Sequence, residues 1–160
     1  MFWNRKHKVA SAELAEVLLN EFIRGATFDA AKSFGLDAPA VACFEDKAHR
    51  YRLASVLIAL GKEEQTNPRF SAVRAELERR VFPPTQEEGV VLLAAIKSAM
   101  KDLGALLFPN EQPKEMSWAR NWLLDIGVDE TNPATLALLA TYWLDYHITA
   151  SKALQSFKPV

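Results

Sequence analysis

Leu53-Ala54-Ser55-Val56-Leu57-Ile58-Ala59-Leu60 carries a single polar side chain, Ser55. The residues before it already follow a helical rhythm. Val41, Phe44, Ala48, Tyr51, Ser55 and Ile58 are separated by steps of three and four, the spacing of one helix face. Asp37 is placed to cap such a helix, and Pro39 is tolerated in its first turn. Gly61 follows where helices commonly stop. The pattern predicts a helix over about 38–60. Its first half keeps a polar side of Glu45, Asp46, His49, Arg50 and Arg52, whereas its second half is apolar nearly all round. A helix of that kind is covered on several sides. It is the expected centre of the domain.

Other helices flank it. Ser11 opens one to about Arg24, with Leu14, Leu18 and Phe22 inward. A short one holds Phe28, Ala31 and Phe34 and stops at Gly35. Asn67-Pro68 reads as a cap followed by proline in the first turn, and leads a helix burying Phe70, Val73, Leu77 and Val81. Pro83-Pro84 breaks the chain. Thr85 and Glu88 have the spacing of a capping box. The helix they open has a seam of Leu93, Ile96, Met100, Leu103 and Leu107. A sixth helix, about 113–126, turns Met116, Ala119, Leu123 and Ile126 inward and stops at Gly127. Asn132-Pro133 opens a seventh, with Leu136, Leu139, Trp143, Tyr146, Ala150 and Ala153 inward. No segment alternates with period two, so no strand is expected. The predicted fold is all-α: a compact bundle of six to seven helices around the central one, with no sheet. Residues 1–10 are expected to form a basic and aromatic arm, and 11–157 a single helical domain. The likeness of Gly61–Pro68 to Gly127–Pro133 reads as shared punctuation between helices, since the flanking segments do not match.

Composition narrows the class. The chain has 160 residues, 49% of them hydrophobic and 24% charged, which is a globular balance. One cysteine, Cys43, allows no internal disulfide and suits a reducing, cytoplasmic setting. The expectation for Cys43 is a small packed core residue. Net charge is −1, without the basic footprint of a nucleic-acid binder. Arg69, Arg74, Arg79 and Arg80 are interleaved with Glu76 and Glu78, a solvated ion-paired face.

Catalytic signatures are absent from the pattern: there is no nucleophile elbow and no phosphate loop. Glu45, Asp46 and His49 can share a helix face and are the best metal-binding candidates. A dinuclear bundle site needs a second such motif, which the sequence lacks. No cofactor is expected. Trp118 and Trp122 lie one turn apart beside the inward stripe of the sixth helix. Trp118 stands about 100° from Ala119, so two readings stay open: the pair forms an exposed aromatic ridge that binds a partner, or the N-terminal arm or the Pro109–Gln112 loop covers Trp118 while Trp122, like Trp143 and Tyr146, fills core. Phe2, Trp3, Arg5, Lys6 and Lys8 combine aromatics with positive charge, a pattern suited to weak contact with an anionic membrane surface or a partner. The leading expectation is a non-enzymatic, bacterial-type interaction module, an adaptor or regulatory protein that binds another protein or itself. Alternatives are a bundle that binds a small ligand or metal, with an enzyme among its forms, and a peripheral membrane protein acting through residues 1–8.

Overall fold

The computed structural model describes residues 6–25, 29–82, 85–108 and 115–160. Within them β1 (His7–Val9) leads into α1 (Ser11–Val17), which continues as a π-helical segment over Leu18–Arg24. Then come α2 (Ala30–Phe34), α3 (Ala38–Thr66), α4 (Phe70–Val81), α5 (Gln86–Leu107), α6 (Glu115–Leu124), α7 (Pro133–Gln155) and β2 (Phe157–Pro159). The fold is an all-α bundle, 80% helical.

The expectation of no sheet needs one correction. β1 and β2 pair in parallel, with His7 opposite Phe157 and Val9 opposite Pro159. The tie is extended at both ends by His7 N–H to the Ser156 carbonyl, 2.9 Å, and Val160 N–H to the Val9 carbonyl, 3.1 Å. Three-residue strands are too short to leave an alternation in the sequence, and each is specified only by its partner at the far end of the chain. The arm expected over 1–10 thus ends in a strand with Val9 buried; Phe2, Trp3 and Arg5 lie outside the described residues.

α3 is the central helix. Asp37 caps it by accepting from Ala40 N–H at 2.9 Å. From Tyr51 to Leu60 only Ile58 is less than fully buried. The helix joins two cores. Leu53, Val56, Leu57 and Leu60 pack with Leu14, Leu18, Ile23, Phe70, Val73 and Leu77. Phe44, Ala48, Tyr51 and Ala54 pack with Leu103, Trp122, Leu123, Leu139 and Trp143. Gly61 does not end the helix, which runs one and a half turns further to Thr66. A Cβ at Gly61 would sit 2.8 Å from Arg74 Nη2, so this glycine makes room for a guanidinium rather than for a turn. The resemblance of Gly61–Pro68 to Gly127–Pro133 stops there too, because Gly127 does adopt the left-handed conformation, φ 80°.

Several inward positions move from their expected places. In the π segment the ring closes over five residues rather than four, so Ile23, five after Leu18, is buried in place of Phe22. Gly25 ends that segment, and a Cβ there would come within 2.6 Å of the Asn20 carbonyl oxygen. α4 starts after a turn at Pro68-Arg69, with the Asn67 side chain accepting from Arg69 N–H at 3.2 Å. Thr85 bonds the Glu88 carboxylate through its hydroxyl, 2.6 Å, instead of a backbone amide. Asn132 caps α7 as expected, accepting from Ala134 N–H at 2.9 Å.

Candidate functional site

Three surfaces deserve a chemical reading, and each is positioned by α3 or α5. The first is a polar cleft of about 470 Å³ where the first half of α3 faces α5 and the end of α6. Lys47 Nζ donates to the Trp122 carbonyl at 2.9 Å and pairs with Asp125 at 2.8 Å. It also lies 4.7 Å from the centroid of the Trp122 ring, within cation–π range. Tyr51 donates its hydroxyl to Asp102 at 2.8 Å, and Trp118 Nε1 donates to the Asp102 carbonyl at 2.9 Å. Burial, reinforced by the Asp102 carboxylate, raises the Tyr51 hydroxyl far above its ordinary value. Desolvation lowers the Lys47 ammonium against the opposing pull of Asp125. The polar groups here are spent on one another, and they tie α3 to α5 and α6.

That network accounts for the tryptophans. Trp122 is 2% exposed and meets Phe44, Tyr51 and Trp143 with ring centroids 4.9, 5.6 and 6.0 Å apart. Trp118 is half-buried against Tyr51. Of the two readings, the ridge is not formed and Trp122 fills core. α6 is rotated so that Trp122 enters the core and Met116 faces outward. The Asp102 carbonyl, which accepts from Trp118, and the Tyr51 ring, which meets both indoles, reward that rotation from other elements, and neither is visible within α6.

The metal candidates are brought to one face of α3 but spent on cations. Asp46 pairs with Arg50, and Glu45 pairs with the buried Arg52 at 3.4 Å. His49 is exposed, with its imidazole lowered by desolvation and by the nearby charge of Arg52. Among the described residues no three His, Cys, Asp or Glu side chains converge as metal ligands. Cys43 is exposed on the rim of the polar cleft rather than packed in a core. Lys6 precedes β1 and Lys8 lies within it, both exposed. No helix among the described residues is long and apolar enough to cross a membrane.

The second surface is a groove of about 830 Å³ between the second half of α3, the end of α5 and the second half of α7. Leu57, Ile58, Met100, Leu107, Leu144 and Ile148 line it, with Lys62, Arg74 and Lys152 as its charged groups. Phe108 stands on its lip, 65% exposed. His147 faces it, with Nδ1 2.9 Å from Ser55 Oγ and Nε2 3.4 Å from Ser151 Oγ. Desolvation, then the charge of Lys62, lowers the His147 imidazole. Ser55 is completely buried. A serine–histidine contact whose hydroxyl no substrate can reach is a packing device, not a nucleophile with its base.

The third surface is the outer side of α5's opening turns. Val90, Val91 and Leu93 are 62, 70 and 41% exposed. A hollow of about 330 Å³ lies beside them, between Glu78 of α4, Phe82 just after it, and Gly89, Val90 and Leu93 of α5. Leu93, expected in the seam, faces this hollow because Ile96 and the half-buried Leu92 fill the inward positions. The uncharged run Gly89–Ile96 was the sequence signal for this surface, since an apolar helix covered on one side leaves its other side apolar.

No family model, no curated protein and no solved structure matches the chain. The fold defines its class as an all-α helical bundle.

Proposed function

We propose that this chain is a non-enzymatic interaction module that binds another protein through the outer face of α5's first turns. The observation that carries the reading is the contiguous exposure of Val90, Val91 and Leu93 beside a concave apolar hollow. Isolated apolar side chains are ordinary on protein surfaces, whereas a patch of them rimmed by polar groups marks a contact site. Here Glu87 and Glu88 precede the patch and Lys97 and Lys101 follow it, all exposed. The hollow suits a single large apolar side chain from the partner, the usual form of an interface anchor. In the polar cleft Lys47 pairs with Asp125 and Tyr51 with Asp102, which favours binding over catalysis. The exposed free thiol of Cys43 fits a reducing, cytoplasmic setting.

A photo-crosslinking residue at position 91, introduced in the source cells, tests this. It is expected to trap one discrete protein adduct, with the same probe at the exposed Ala137 as comparison. An adduct of twice the chain's mass identifies the partner as a second copy. Equal adducts from both positions, or none, end the reading. A small-ligand bundle is the second reading, favoured by the groove between α3, α5 and α7.

A further inference from the structure

The groove between α3, α5 and α7 changes character along its length, and the packing of α3 on α7 sets the direction of the change. Tyr51 meets Trp143 with centroids 5.4 Å apart, and Ser55 meets His147 at 2.9 Å one turn later on both helices. The two helices therefore run parallel. Two to three turns beyond Ser55 stand Lys62 and Gln65, and one to two turns beyond His147 stand Lys152 and Gln155, so both lysines lie towards one end. Ile58, Leu144 and Ile148, earlier along the same helices, line the groove together with Leu107 and Phe108.

The groove also has a sign. Among the described residues no carboxylate lines it, and its charged groups there are all cations. Arg74 is held by Glu64 at 2.8 Å. Lys62 and Lys152 have no carboxylate partner among the described residues. An acidic helix would carry carboxylates along a flank, and the apolar end offers them nothing to pair with. A ligand with one anionic head and one apolar tail matches the gradient. The α7 wall from Leu144 to Gln155 spans about 16 Å at ~1.5 Å per residue. The volume, about 830 Å³, lies within the roughly 300–1,000 Å³ usual for small-molecule sites.

We propose that this groove binds a long-chain carboxylic acid, with its tail over Ile58, Leu107, Leu144 and Ile148 and its carboxylate between Lys62 and Lys152. The site is separate from the α5 face and stands on different residues.

Titration calorimetry of the full chain with dodecanoate, below its micelle concentration, tests the proposal, with circular dichroism to confirm that the fold persists. Saturable binding of one dodecanoate per chain is expected, with butyrate and dodecyltrimethylammonium each at least about tenfold weaker. The Lys62→Gln/Lys152→Gln double variant alters only exposed side chains and is expected to weaken dodecanoate binding by about tenfold or more. Ile148→Glu, at the apolar end, is expected to abolish it, and Val91→Glu to leave it unchanged. No saturable binding, equal binding of the cationic amphiphile, or an unaffected lysine double variant overturns the proposal. Failure here with a discrete adduct from position 91 removes the groove site and leaves the protein-binding reading standing.

Discussion

Trp118 shows how one hydrogen bond reassigns a residue. Its helix spacing places it beside the inward stripe, yet its indole N–H reaches the Asp102 carbonyl at 2.9 Å and its ring leans on Tyr51. Trp118→Ala is therefore expected to lower stability by about 2 kcal/mol or more, approaching the ~3–5 kcal/mol of fully buried tryptophans. Urea denaturation measures this, and a loss under about 0.5 kcal/mol, usual for surface sites, would contradict the packing described here. His147 supports a prediction with a sign. Its folded pKa lies below the ordinary 6.5 because burial and Lys62 disfavour the charged ring. The unfolded chain then takes up a proton more readily. The stabilisation is complete above the unfolded value and is lost as pH falls through the folded one. His147→Gln is expected to flatten the fall of unfolding free energy between about pH 7 and 5. His49, shifted in the same direction, keeps part of the slope in the variant. An identical slope in both proteins would show that His147 protonates freely in the fold.

At the scale of the element, helix existence was legible and helix ends less so. The periodic residues of α3, α4 and α7 lie inward because their stripes are continuous over several turns. Gly61 misleads because a glycine is also what a close side chain demands, and Arg74 comes from the next helix. The glycines consequently predict opposite outcomes. Gly104 lies inside α5 with open space where a Cβ would stand. Gly104→Ala is expected to raise stability by about 0.5–1 kcal/mol through helix propensity. Gly127, at φ 80°, supplies the left-handed residue after α6, and Gly127→Ala is expected to cost about 1 kcal/mol or more. Thermal melts of the two variants should shift in opposite directions. A rise for Gly127→Ala would mean that this turn does not need its left-handed residue.

For the whole molecule, the terminal strands close the first core at its edge. Val9 is buried there and Phe157 packs against the same cluster. Deleting residues 157–160 removes the β2 side of the ladder and uncovers Val9. Such a truncation is expected to cost about 1–3 kcal/mol, the scale of one apolar side chain exposed together with lost backbone hydrogen bonds. Thermal unfolding of the truncated chain checks this, and an unchanged midpoint would make the strand pair an ornament of the fold. The candidate surfaces also belong to this scale. Each groove is lined by several helices, so no single helix pattern contains it. Only the uncharged Gly89–Ile96 run left a local trace, because one segment supplies most of that face.

Local sequence determined the helical class, the caps at Asp37 and Asn132, and the burial of the Leu53–Leu60 segment. Those features depend on residues within one or two turns of each other, where side-chain spacing and backbone capping act directly. Tertiary structure decided the pairing of the chain ends, the inward turn of Trp122, the length of α3 past Gly61 and the union of Lys62 with Lys152 at one end of a groove. Each of these joins residues from separate elements, and its free energy comes from burial and hydrogen bonds that exist only after the helices have packed.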